Sequence, residues 1–232
     1  EAWDEKSSGL LLASPSNPTG AIINPDILRK LFNLSAKKNG FLIIDEIYQG
    51  IGPKDRPYST ALEIEKEIYV LNSFSKYFGM TGLRLGWVVV PLAEAKDFIK
   101  LAQHFFICPN TLSQYAATAA FSESCMEIND QRSEAFGIRL EVLYSGLLEL
   151  GFVIPVKPQG AFYLFVSVAH TGMNSEDFAW RLLTEFGVAV TPAHDFSVEY
   201  GNEYVRFACS ADISSINIGL DRIRLALNSW GV

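Results

Sequence analysis

Cysteine is scarce in this chain. Three residues of 232, Cys108, Cys125 and Cys209, lie far apart and in odd number. No Cys-x-x-Cys pair occurs, so neither a disulfide framework nor a zinc knuckle is supported. Histidine is equally sparse: His104, His170 and His194 show no metal-ligand spacing, and no metal site is expected. Basic residues are outnumbered, 19 Lys and Arg against 26 Asp and Glu, for a formal net charge of −7. That balance argues against a nucleic-acid footprint and against binding to an anionic membrane. No apolar run approaches the ~18 residues that a membrane helix needs. The opening Glu1-Ala2-Trp3-Asp4-Glu5 is acidic and polar, unlike a secretory signal. A reduced, cytoplasmic setting suits these absences.

What is present is a core. Hydrophobic residues make up 49% and charged residues 19%, which excludes wholesale disorder. The length suits one large domain or two small ones. The chain opens without Met and runs within a few residues into an apolar strand, which reads as a cut through the middle of a larger protein. Leu10 to Ala13 form a short apolar run that ends in Ser-Pro-Ser-Asn-Pro-Thr-Gly at 14–20, a loop. Asn24 and Pro25 read as the cap and first position of a helix, with Ile27, Leu28, Leu31 and Phe32 as its stripe and Asn39-Gly40 as its stop. Phe41 to Ile44 read as a strand buried on both faces, ending abruptly in Asp45-Glu46. Further strands are expected at 68–71 and 85–90, the last closed by Pro91.

Strand, helix, strand with nearly continuous apolar strands predicts a parallel sheet covered on both faces. Helices are expected near 92–106 and 111–128, and a longer one over 130–150. Beyond it, short strands at 161–168, 187–191 and 203–208 alternate with helices near 175–186 and 214–229. The expected organisation is a first domain over 1–135 and a smaller α/β domain over 136–232 that includes the bridging helix.

In open α/β sheets, ligands sit beyond the carboxyl ends of the strands. Here three strands end in polar clusters: Asn17; Asp45 and Tyr48; Ser73, Ser75 and Lys76, with Arg84 soon after. As neighbours they would enclose a carboxylate, an amine, hydroxyls and a guanidinium. That set suits a phosphorylated, nitrogen-containing ring that carries an aldehyde. A lysine amine attacks an aldehyde only when neutral, and its reference pKa is about 10.4, so Lys76 needs burial or nearby cations. Asp45 would keep a pyridine nitrogen protonated, which makes the ring an electron sink. Ser73, Ser75 and Arg84 would hold a phosphate dianion. The Tyr48 hydroxyl and the Asn17 amide would donate to a ring oxygen.

Ser16-Asn17-Pro18-Thr19-Gly20, Asp45-Glu46-Ile47-Tyr48, Ser73-Phe74-Ser75-Lys76 and Gly82-Leu83-Arg84-Leu85-Gly86 stand in the order and spacing of fold-type I pyridoxal-phosphate enzymes. The chain most resembles the class I/II aminotransferases, of the aspartate aminotransferase superfamily, and the resemblance extends through Gly160-Ala161-Phe162-Tyr163 and Tyr204-Val205-Arg206-Phe207. It implies an α/β fold: part of a mostly parallel, seven-stranded type of sheet in a large cofactor domain, plus a smaller C-terminal α/β domain. It implies pyridoxal 5'-phosphate as cofactor and Lys76 as Schiff-base lysine and proton shuttle. It places Asp45 on the pyridine nitrogen, Asn17 and Tyr48 on the phenolic oxygen, and Ser73, Ser75 and Arg84 on phosphate. Arg206, assisted by Asn17, would clamp the substrate α-carboxylate. The implied reaction is amino transfer between an amino acid and a 2-keto acid in amino-acid metabolism and biosynthesis, by a cytoplasmic homodimer.

The resemblance also implies that a large share of the cofactor domain precedes the Asn-Pro motif, so the sequence reads as a C-terminal portion. Alone, it is expected to bind the cofactor weakly and turn over little or nothing. A lyase or decarboxylase of the same fold would need the same residues. A non-catalytic nucleotide-binding module would need Gly-x-Gly-x-x-Gly or Gly-Lys-Ser/Thr, and neither occurs at the required spacing. An inert structural fragment is the third alternative.

Overall fold

The computed structural model describes residues 3–54 and 58–232; residues 1, 2 and 55–57, and with them the Glu1-Ala2 start, lie outside it. The chain divides into two units. Unit 1 comprises Glu1–Ser16, Ile22–Ile51 and Asp55–Ser133; unit 2 comprises Asn17–Ala21, Gly52–Lys54 and Glu134–Val232.

Unit 1 contains β1 (Gly9–Ala13), α1 (Pro25–Lys37), β2 (Phe41–Asp45), β3 (Tyr69–Ser73), β4 (Gly86–Val89), α2 (Ala95–Phe106), α3 (Thr111–Ala120) and the start of α4 (Glu123–Glu149). The sheet order is β1-β2-β3-β4. β1, β2 and β3 run parallel, and β4 pairs antiparallel to β3. Helix α1 starts where Asn24 accepts the Asp26 N–H at 2.9 Å and Pro25 sets the first turn. Its Leu28 joins Leu42, Ile44, Ile68 and Val70 in a closed core.

The expected cover on both sheet faces is not observed. Leu42 and Ile44 are buried, but on the other face Leu11 is 66% exposed, Phe41 43% and Val88 41%. Strand alternation puts every second side chain on that face, and no described helix covers it across β1 and β2. The apolar run therefore reflects apolar residues on both faces, only one of which is packed.

The helix boundary expected near 129 lies earlier: α3 ends at Ala120 and α4 begins at Glu123. The polar pair Asn129-Asp130 does not break α4 because both side chains have partners. Asn129 accepts from Arg132, and Asp130 accepts the Tyr77 hydroxyl. The break falls at Phe121, whose ring packs edge-on against Phe74 and Phe78.

Unit 2 holds the end of α4, β5 (Tyr163–Ser167), α5 (Ser175–Phe186), β6 (Thr191–Pro192), β7 (Tyr204–Ala208) and α6 (Ile213–Trp230). Its sheet is antiparallel, in the order β5-β7-β6. Alternating positions set the core face: Leu164, Val166, Val205 and Phe207 are buried with Leu143, Leu147, Phe178, Leu182 and Ile223. The strand expected over 187–191 shrinks to Thr191–Pro192. Gly187, at φ 68°, caps α5, and Val188 donates to Leu182, which uses these residues for the helix end. Pro192 has no N–H with which to extend the ladder. Among the described residues, no helix is long and apolar enough to cross a membrane.

Candidate active site

The parallel strands of unit 1 end at one edge: β1 at Ala13, β2 at Asp45, β3 at Ser73. β4 runs the other way, so its first residue, Gly86, pairs with Ser73 at that same edge. The segments carrying Asp45 and Tyr48, Ser73 to Lys76, and Arg84 therefore leave the sheet at one rim. Topology alone unites residues 39 positions apart, in the location where ligands meet open α/β sheets.

Beyond β2 the chain turns at once. Asp45 accepts the Ile47 N–H at 2.9 Å, a side-chain turn that substitutes for the next ladder bond. Gln49 donates to the Glu46 carbonyl at 2.8 Å and closes the turn. This brings Tyr48 inward, where it is buried, with the Lys76 ammonium 5.6 Å from its ring centroid. Glu46 is 2% exposed. Its Oε1 accepts the Ala61 N–H at 2.6 Å and the Thr60 hydroxyl at 3.2 Å, and burial pushes its carboxyl pKa up despite these bonds.

The β3–β4 connection is anchored by aromatic packing and shaped by serines. Phe74 lies 4.9 Å from Phe78 and 5.0 Å from Trp87, centroid to centroid. Above this floor the Ser73 hydroxyl accepts the Ser75 N–H at 3.0 Å and donates toward the Ser75 hydroxyl and the Leu85 carbonyl, at 3.0 and 3.1 Å. Arg84 adopts a left-handed conformation, φ 49° and ψ 51°. Such a non-glycine residue is uncommon and is typically held by its surroundings. Its Nη1 donates to the Thr81 carbonyl at 3.0 Å and reaches the Ser75 hydroxyl at 3.5 Å. Among the described residues, neither Arg84 nor Lys76 forms an ion pair. A guanidinium beside two hydroxyls, with no carboxylate partner, is a donor set for an anion.

Unit 2 holds the other two expected residues. Arg206 sits mid-strand in β7, opposite Phe165 of β5 and Thr191 of β6. Its neighbours Val205 and Phe207 point into the core, so Arg206 faces the other way. Its Nη1 donates to the Asn17 side-chain oxygen at 2.8 Å, across 189 residues of sequence. The structure therefore joins Asn17 with Arg206, Tyr48 with Lys76, and Ser73 with Ser75 and Arg84. His194 Nε2 lies 3.8 Å from the Glu176 carboxylate of α5. Sequence reasoning passed over Glu46 as a support and Thr191 and Phe196 around Arg206. The adjacency of Glu46 to Asp45 was its only signal, and an alternating strand gives no hint of which loops lean on it.

The family model for aminotransferases of class I and II matches residues 1–223. The chain belongs to that family. Class I and II aminotransferases of this fold use pyridoxal phosphate. Among relatives, the valine–pyruvate aminotransferase of Mycobacterium tuberculosis is 35% identical over 228 residues, which covers 98% of this chain and 58% of that protein. An aspartate aminotransferase of Sulfurisphaera tokodaii is 31% identical over 227 residues, 95% of this chain and 56% of that one. A crystal structure of an aminotransferase from Mycobacterium tuberculosis superposes with a TM-score of 0.92 at 35% identity, covering 98% of this chain and 59% of the other. The aspartate aminotransferase of Thermotoga maritima gives 0.87 at 32% identity, covering 98% and 58%. The chain thus spans under two thirds of the length of the relatives it matches.

The residues present in this aminotransferase-family chain fit the cofactor. Arg84 with Ser73 and Ser75 matches a phosphate, and Asp45 offers a carboxylate at the same rim. Among the described residues Lys76 forms no ion pair, and its Nζ lies over the Tyr48 ring. Arg206 Nε is buried and has no hydrogen-bond partner, an orphaned donor on an otherwise well-satisfied guanidinium.

Proposed function

We propose that the protein containing this chain transfers an amino group between an amino acid and a 2-keto acid with pyridoxal phosphate. The observation that carries this reading is the Ser73–Ser75–Arg84 cluster, whose arginine forms no ion pair among the described residues, at the sheet rim that also bears Asp45 and Lys76. The relatives' names support the reaction class: they act on valine with pyruvate, or on aspartate. Those names share an amino-acid donor and differ in its side chain.

When bound, the cofactor supplies an electron-accepting ring beside the substrate α-carbon. Ser73, Ser75 and Arg84 bind its phosphate, with the guanidinium giving charge-assisted hydrogen bonds. Asp45 holds a proton on the ring nitrogen through its carboxylate. Tyr48 donates its hydroxyl to the ring oxygen and flanks Lys76 with its ring. Lys76 is the residue that would hold the cofactor aldehyde through its Nζ. The same Nζ would serve as the general base that takes the proton from the substrate α-carbon and as the acid that returns it. Arg206, bonded to Asn17, orients the substrate α-carboxylate. A cytoplasmic homodimer is the working form we propose, with the three cysteines reduced.

The test uses the full-length protein that contains this chain. Borohydride reduction after cofactor loading, followed by peptide mapping, is expected to place the cofactor on Lys76. Lys76→Ala is expected to lose that adduct and to slow transfer by about 10²–10⁴-fold or more, the range for a lost general base. Reduction at another lysine, or unchanged turnover in the variant, would overturn the assignment. Product analysis decides the reaction class: a keto acid with a new amino acid supports transfer, whereas ammonia or carbon dioxide would replace it with a lyase or decarboxylase.

A further inference from the structure

We infer that Phe196, with Tyr163, positions the Arg206 guanidinium as a carboxylate receptor by covering it with aromatic rings in place of a counter-ion. The inference rests on the reading of Arg206 as the α-carboxylate site and adds the residues that prepare it. The guanidinium carbon lies 4.3 Å from the Tyr163 ring centroid and 4.7 Å from that of Phe196. Both fall well inside the distance at which a ring quadrupole attracts a cation. The other partners are also neutral: the Asn17 amide oxygen at 2.8 Å from Nη1 and the Thr191 hydroxyl at 3.4 Å from Nη2. Nε is buried with no acceptor. Among the described residues Arg206 forms no ion pair, whereas Arg181 and Arg224 do.

This arrangement has a physical consequence. A buried arginine ordinarily takes a carboxylate, which would satisfy its charge and leave nothing for a substrate. Rings hold the cation without accepting its N–H bonds, so the donors stay available. They also exclude water, and the lower local dielectric strengthens the pull on an arriving carboxylate. Asn17 and Thr191 fix the in-plane rotation of the fork, and the rings fix its tilt. The β7 backbone holds the stem between Phe165 and Thr191. Less conformational freedom is then lost when a planar carboxylate docks. Phe196 lies outside the strands, just after Thr191–Pro192, and is only half-buried. Its ring is therefore a support for Arg206 more than a part of the core, and it is the residue to test.

The experiment titrates sodium pyruvate, a small probe with the required carboxylate, into the full-length protein that contains this chain by calorimetry, and compares variants. Arg206→Lys is expected to abolish the heat. Phe196→Leu, which removes the ring and keeps much of the volume, is expected to weaken pyruvate binding about 3- to 30-fold. In turnover it is expected to raise KM for amino and keto acids by a similar factor with kcat changed less than about twofold. Phe196→Tyr, which keeps the ring, is expected to bind within about twofold of the parent protein. Phe196→Met serves the same purpose should the leucine variant not fold. No pyruvate heat in the parent protein, or an unaltered affinity in Arg206→Lys, overturns the carboxylate assignment and this inference with it. A weakened Arg206→Lys beside an unaltered Phe196→Leu, or a Phe196→Tyr as weak as Phe196→Leu, overturns this inference alone.

Discussion

Glu46 is a carboxylate placed where solvation is poorest, one residue from the Asp45 assigned to the cofactor ring. Burial raises its pKa, and the Ala61 N–H and Thr60 hydroxyl only partly offset that. The folded state therefore holds the Glu46 proton more tightly than the unfolded chain does. Its contribution to stability is fully present below the unfolded pKa, near 4.3, and is lost as pH rises through the higher folded value. Glu46→Gln keeps an acceptor for Ala61 and removes the charge. Urea unfolding at pH 4 and pH 8 is expected to show this variant gaining on the parent protein as pH rises. Glu46→Ala leaves the fully buried Ala61 N–H without its acceptor and is expected to cost about 1–3 kcal/mol at either pH. A glutamine variant whose difference from the parent is the same at both pH values would show that the charge is not strained. At the rim, Arg84→Ala removes the charged donor of the phosphate set. Cofactor affinity, followed by fluorescence titration, is expected to fall about 10- to 100-fold, the worth of charge-assisted bonds.

At the scale of elements, helix ends decide what was legible. Asn24-Pro25 marked the start of α1, and the same cap logic recurs where Asn174 opens α5 and Asp212 opens α6. Local signals of this kind are carried by neighbouring residues, so α1, α2, α5 and α6 followed from the sequence to within a few positions. The end of α3 and the start of α4 did not: the boundary falls at 121–122, and Asn129 and Asp130 lie inside α4 with Arg132 and Tyr77 as partners. The antiparallel direction of β4 is equally unwritten in Gly86 to Val89, since strand direction is set by the loop before it and the partner beside it. Asp212 carries a measurable trace of its cap. The Ser215 N–H and the Ser214 and Ser215 hydroxyls lower its pKa to about 2 from 3.8. A depressed carboxylate contributes stability above the unfolded value and loses it as pH falls from about 4 toward 2. Asp212→Asn still accepts from Ser215 N–H but does not titrate. It is expected to melt like the parent at pH 2 and below it at pH 6, and an equal offset at both would argue that the cap's charge is without effect.

At the scale of the whole molecule, the rim residues were readable because strand ends punctuate sequence: Asp45, Ser73, Ser75, Lys76 and Arg84 each follow or precede an apolar run. Around Arg206 the resemblance pointed to Asn17 alone; Tyr163, Thr191 and Phe196 were not readable, since they reach it from two other segments of the chain. The uncovered sheet face was not readable either, because an apolar strand reads the same whether its second face is packed or bare. Leu11, Phe41, Leu71 and Val88 form an apolar surface on one sheet, of a kind that soluble monomers rarely leave open. We therefore expect the 232-residue chain, prepared by itself, to bind a hydrophobic dye strongly and to self-associate in sedimentation. Leu11→Lys with Val88→Lys changes only exposed positions and leaves the Leu42 and Ile44 core untouched, so it is expected to reduce both signals while unfolding stays cooperative. The same isolated chain is expected to bind pyridoxal phosphate weakly, because the rim lies at the end of that unpacked face. A monodisperse chain with dye emission at the level of a packed globular protein would show that this surface is satisfied as it stands.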